Sequence, residues 1–185
     1  MSGPLTRPQI IAHHEVDCGL TVHNVCWVPS SPRVLAVGTT LQNKGIIQVY
    51  SLGRELNKVH EVNREFGLNA VTFRGSSLQD RRLAVGDFGG RVYSYDFEEN
   101  KEVWGLRGHQ VVNCIDGGGG GGGGGGPAEI VSGGREGSVK VWDTRVANKP
   151  VVNMEPETGR RECWGVCAGN MWDTQERMVS FKEKQ

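Results

Sequence analysis

Apolar and polar positions alternate along much of this chain, in short runs broken by glycine, proline and charged residues. Ile47-Gln48-Val49-Tyr50, Val92-Tyr93-Ser94-Tyr95-Asp96 and Val139-Lys140-Val141-Trp142-Asp143 have the period of two that marks half-buried strands. Four more apolar stretches, Leu35-Ala36-Val37-Gly38, Leu83-Ala84-Val85-Gly86, Ile130-Val131-Ser132-Gly133 and Met178-Val179-Ser180-Phe181, start 48, 47 and 48 residues apart. Each of the first three leads through a glycine-bearing turn into one of the alternating strands, which ends in an aromatic. A period of about 40 to 50 residues made of short strands is the pattern of a β-propeller blade array. One blade cannot bury both faces of its small sheet, so blades stack and cover each other.

The pattern predicts blades over residues 15–62, 63–107 and 108–155, and an incomplete one over 156–185. Blade one takes Val25–Val28, Val34–Gly38, Ile46–Tyr50 and Lys58–Val62; blade two takes Ala70–Phe73, Leu83–Gly86, Val92–Tyr95 and Glu102–Leu106. Blade three takes Val111–Ile115, Glu129–Ser132, Ser138–Trp142 and Val151–Met154; blade four has Cys163–Ala168 and Arg177–Ser180. Residues 1–7 read as a flexible start and Pro8–His13 as a lone strand before the first blade.

The third repeat has the sharpest wording. It opens on Gly108-His109, turns through Gly134-Arg135-Glu136-Gly137 and closes on Trp142-Asp143. In a WD-repeat blade a histidine, a serine or threonine, a turn aspartate and the tryptophan form one hydrogen-bonded set. Here those places fall to His109, Ser132, Glu136 and Trp142, with glutamate where aspartate is usual. Such a set satisfies buried polar groups while pinning a loop to the next hairpin. His109 therefore reads as a structural residue, not a general base or a metal ligand.

Composition narrows the function. Lysine plus arginine equals aspartate plus glutamate at 21 each, for a net charge of zero, so the chain lacks the positive field that nonspecific nucleic-acid binding needs. No apolar stretch reaches the roughly 18 residues of a membrane span, and no secretory signal opens the chain. Five cysteines in a chain without an export signal fit a reduced, cytoplasmic setting. Cys163 and Cys167, if on one strand, would share a face. Neither they nor Cys18, Cys26 and Cys114 have zinc spacing, and they read as buried thiols.

The ten glycines Gly117–Gly126 read as a flexible loop between the first two strands of blade three. They cannot be a phosphate cradle, since no Lys-Ser or Lys-Thr follows. Asp87-Phe88-Gly89 spells a kinase triplet without the rest of a kinase, and sits where a turn is expected. No catalytic constellation, cofactor site or metal site emerges.

With the repeats in place, the wording between them resembles one family. Pro8-Gln9-Ile10-Ile11-Ala12-His13, Gly86-Asp87-Phe88-Gly89-Gly90, Asn113-Cys114-Ile115-Asp116-Gly117, Pro127-Ala128-Glu129-Ile130-Val131, Val139-Lys140-Val141-Trp142-Asp143 and Asn153-Met154-Glu155-Pro156 carry the resemblance. So does Cys163-Trp164. The chain is similar, from about residue 8 to about residue 180, to the WD-repeat dynein axonemal assembly factors, the Monad family. That resemblance implies a seven-bladed propeller without enzymatic activity or cofactor. It implies work beside a chaperone adaptor complex of RuvB-like ATPases and prefoldin-like subunits, in the cytoplasmic preassembly of dynein arms, whose components are further partners. Neither nucleic acid nor membrane is implied. It also implies three further blades, so the chain reads as about three and a half blades of an all-β WD-repeat propeller, with Phe181 departing from the family's small residue. The alternative is a general chaperone client adaptor, or another WD-repeat scaffold, not restricted to cilia. His23, Asn69, Asp87, Phe88, Arg135 and Trp164 are the candidate partner-facing residues.

Overall fold

The computed structural model describes residues 11–118, 129–146, 149–157 and 161–169, and the backbone of 179–182. Strands β1 (Thr21–Trp27), β2 (Arg33–Thr39), β3 (Gly45–Leu52) and β4 (Leu56–Arg64) form the first antiparallel sheet in chain order. The second joins β5 (Leu68–Thr72), β6 (Leu83–Asp87), β7 (Arg91–Asp96) and β8 (Lys101–Arg107). The third joins β9 (Val112–Gly118), β10 (Glu129–Gly134), β11 (Val139–Asp143) and β12 (Val152–Met154). A pair, β13 (Gly165–Ala168) and β14 (Val179–Lys182), begins a fourth sheet. The first strands of successive sheets, β1, β5, β9 and β13, contact one another. The whole is part of a WD-repeat β-propeller.

Three apolar cores lie between sheets, each made by the alternation described above. Leu35, Val37, Ile47 and Val49 of the first sheet meet Val71, Phe73, Leu83, Tyr93 and Tyr95 of the second. Ala84 and Val92 on the opposite face of the second sheet meet Ile130 and Trp142 of the third. Val131, Val139 and Val141 then meet Cys163 and Ala168. Every middle sheet is thus covered on both faces, as stacking requires.

One register differs from the repeat read in the sequence. Tyr95 lies opposite Leu83 and Trp142 opposite Ile130, but Tyr50 lies opposite Val34. Val34, not Leu35, is therefore the spatial counterpart of Leu83 and Ile130. A slip of one residue reverses every side chain on a strand. Leu35 and Val37 consequently turn toward the second sheet. The apolar residues on both faces of β2 left its phase ambiguous in the sequence.

Other boundaries move too. Cys163 precedes β13 and is buried, while Cys167 on that strand is exposed, so the two share no strand face and Cys167 is no buried thiol. Gly117 and Gly118 belong to β9 and pair with Ile130 and Glu129. The glycine run therefore begins as strand, and Gly119–Gly126 lie outside the described residues. Ile11–His13 form no strand, and the remainder of that expected strand, like residues 1–7, also lies outside them. Phe181 continues β14 opposite Val166.

Candidate functional site

His109 stands just before β9, Ser132 within β10, Glu136 in the turn after it and Trp142 in β11. The structure brings all four together. The Trp142 indole N–H donates to Ser132 Oγ at 2.7 Å, and Ser132 Oγ lies 2.7 Å from His109 Nε2. His109 Nδ1 meets the Glu136 carboxylate. Because Ser132 accepts from the indole, its own O–H is available to His109 Nε2, leaving Nδ1–H to face Glu136. Two members of the network have no sequence signal. Ser138 Oγ lies 3.2 Å from His109 Nδ1 and also donates to Glu136, and the Gln110 N–H donates to Glu136 Oε2 at 3.0 Å.

Electrostatics favour a neutral ring beside a charged carboxylate. Burial holds the His109 pKa below its ordinary value despite the pull of Glu136. Burial acts to raise the Glu136 pKa, but hydrogen bonds from Ser138, the Gln110 N–H and His109 outweigh it, and the pKa is lowered. Serine, histidine and carboxylate in this order also describe a hydrolase triad. Here Ser132 is 0% exposed and its oxygen is engaged by Trp142, so no substrate can reach it. Chemically, the arrangement can fasten the loop before β9 to the hairpin of β10 and β11.

Gly108 completes the fit. A Cβ there would lie 2.4 Å from Cη2 of Trp142, so only glycine lets the loop lie over the indole. Trp142 in turn meets Trp104 of the second sheet edge-on at 5.9 Å. The second sheet holds its equivalent corner differently. Its counterparts of Ser132 and Glu136 are Val85 and Gly89, and Arg64 stacks over the rings of Tyr95 and Tyr93 at 4.5 and 5.2 Å.

The partner-facing candidates divide. His23 and Phe88 are exposed and meet edge-on at 5.2 Å, and His23 Nε2 also lies 3.1 Å from Thr39 Oγ1. Phe66, unremarked in the sequence, packs beside Gly89 and is also exposed, extending this aromatic surface. Trp164 is 55% exposed, and Arg135 is exposed and pairs with Glu162 at 3.2 Å. Asp87 is drawn inside instead. It is 3% exposed, and its carboxylate accepts the Arg91 N–H at 2.8 Å, closing the turn. Asn69 is half-buried and donates to the carbonyls of Val112 and Asn113 at 2.9 and 3.2 Å, which ties the second sheet to the third. The Asp87 carboxylate and the Asn69 amide N–H are thus engaged within the fold. Among the described residues no group of three or more His, Cys, Asp or Glu side chains gathers as it would around a metal ion.

No family model matches the chain. Over 97% of its length it is 42% identical to "Dynein axonemal assembly factor 10" of Xenopus laevis, covering 51% of that protein. The chain is homologous to that assembly factor. The proteins of the same name from Homo sapiens and Chlamydomonas reinhardtii are 41% and 38% identical, each over 94% of this chain and 50% of theirs. The chain thus spans about half the length of the curated relatives it matches. The crystal structure of Saccharomyces cerevisiae Sqt1 superposes with a TM-score of 0.65 over 88% of this chain and 43% of Sqt1, at 11% identity, a likeness of fold alone.

Proposed function

We propose that this chain is a non-enzymatic interaction scaffold serving the cytoplasmic preassembly of axonemal dynein arms, a reading that starts from homologues named as dynein axonemal assembly factors. The observation that carries this reading is the 42% identity sustained over 97% of the chain. Its partners are proteins. In this reading they are a chaperone adaptor complex with RuvB-like ATPases and prefoldin-like subunits, together with dynein arm components. The surface offered is the aromatic group of His23, Phe66 and Phe88, with Trp164 and Arg135 further round the array. Exposed aromatics suit such a role because they bring large contact area at low entropic cost, and arginine because it is enriched at the energetic centres of interfaces. His109, Ser132, Glu136 and Trp142 serve as an internal fastening of the third sheet.

The test separates surface from fastening. Phe88→Ala should lower capture of RuvB-like ATPases from ciliated-cell extract by tenfold or more, while the melting temperature moves little. Trp142→Ala should cost about 3–5 kcal/mol of stability, as other large core truncations do. Capture that survives Phe88→Ala and Trp164→Ala together would remove this surface from the reading. Wild-type capture of the ATPases with no dynein chain among the bound proteins would favour a general client adaptor.

A further inference from the structure

Cys114 lies in β9 directly opposite Gly133 of β10, and Cys163 arrives from the far side of the third sheet, where its N–H donates to Gly134 O at 3.1 Å. Their sulfurs are 3.9 Å apart. Both occupy the space over one glycine: a Cβ on Gly133 would stand 2.7 Å from Cys114 Sγ and 2.5 Å from Cys163 Sγ. The missing side chain at position 133 is what lets a thiol of β9 meet one from the segment before β13. We propose that Cys114 and Cys163 are a disulfide-forming site, oxidised by a peroxide, that straps the β13 segment to the third sheet.

A disulfide bond is about 2.05 Å long, so from 3.9 Å the sulfurs must close roughly 2 Å to bond. Cys114 is the half-exposed member and Cys163 is 6% exposed, so the oxidant meets Cys114 first. Its thiolate attacks one peroxide oxygen. The O–O bond breaks, giving the sulfenic acid and, after protonation of the departing hydroxide, water. Cys163 sulfur then attacks the sulfenyl sulfur. The S–S bond forms as the S–O bond breaks, and the thiol proton leaves with the hydroxyl as a second water. Two thiols are oxidised and one peroxide is reduced.

Two further observations shape the reaction. The hydrogen bond with Cys163, then burial, pushes the Cys114 thiol pKa up, so the thiolate is scarce at neutral pH and oxidation is slow there. The two cysteines are also 49 residues apart in sequence, with the whole glycine run between them. Closing that loop restricts the unfolded chain most where it is freest.

The full chain is treated with hydrogen peroxide, alkylated, digested and mapped by mass spectrometry. The Cys114–Cys163 cross-link should be the first intramolecular bond to appear, and dithiothreitol should reverse it. Its rate should rise about tenfold per pH unit while thiolate remains the minor form. It should survive Cys167→Ser and vanish in Cys114→Ser and in Cys163→Ser. Should those serine variants fold poorly, the wild-type map still decides, together with protease protection of residues 161–169 on oxidation. Alkylation of both Cys114 and Cys163 after the exposed Cys167 has been oxidised would overturn the proposal, as would pairing of Cys163 with Cys167.

Discussion

His109 is 5% exposed, and its surroundings accept it best without a charge. Its pKa in the fold lies below 6.5, so its contribution to stability is complete above that value. The contribution is lost as pH falls through the lower folded value, because the unfolded chain then takes up the proton more readily. Glu136, lowered from 4.5, repeats the effect further down, its contribution being complete above that pH and fading as the pH drops past its folded value. Urea unfolding should therefore show stability declining as pH drops from 7 through 5. His109→Gln should be less stable at pH 7 but show a flatter decline over the same range. An unchanged slope in that variant would mean that the histidine does not titrate into the unfolded state as described. At this scale the four residues named by their spacing come together, while Ser138 does not follow from any motif. Its hydroxyl matters because the backbone turn carries it back toward the His109 ring.

The elements were legible where alternation was strong and ambiguous where it was not. β7 and β11 have one apolar and one more polar period, and their limits follow from residues such as Arg91, Asp96 and Asp143. In β2 the run Val34-Leu35-Ala36-Val37 is apolar throughout, so nothing local fixes which residue faces which neighbour. Cys163 was hidden for another reason: it is held by a carbonyl of the third sheet, a contact invisible to local pattern. Glycine raised a third difficulty, since composition alone marks a loop. A Cβ on Gly117 would lie 2.1 Å from the Gly75 backbone nitrogen, so the first residue of the run is needed where β9 nearly touches the segment after β5. Gly117→Ala should lower the melting temperature by several degrees, as backbone clashes in a packed core do. Deleting Gly119–Gly124 should leave it nearly unchanged, because loop-closure cost varies only with the logarithm of length. Thermal melts of the two variants side by side check both statements.

For the whole molecule, the first and second sheets differ in how their matching faces are covered. Val71 and Phe73 are 6% and 7% exposed because the first sheet covers them; at the corresponding places of the first sheet, Val25 and Trp27 are 56% and 60% exposed. An apolar surface of this kind favours association with about 25 cal/mol per Å² covered. The 185-residue chain expressed alone should self-associate, and Val25→Thr with Trp27→Ser should shift it toward monomer in sedimentation velocity without lowering its melting temperature. Wild-type chain that is already monomeric at high concentration would contradict this. Arg74 acts at the same scale. Its guanidinium bonds Asp116 of β9 at 3.0 Å and Ala168 O of β13 at 3.2 Å, while the Ala168 N–H bonds Asp116 at 2.9 Å. One side chain thereby joins three sheets across 94 residues of sequence. Contacts of such long sequence separation should form after the folding barrier, so Arg74→Ala should quicken unfolding and leave the rate of folding almost untouched in stopped-flow measurements.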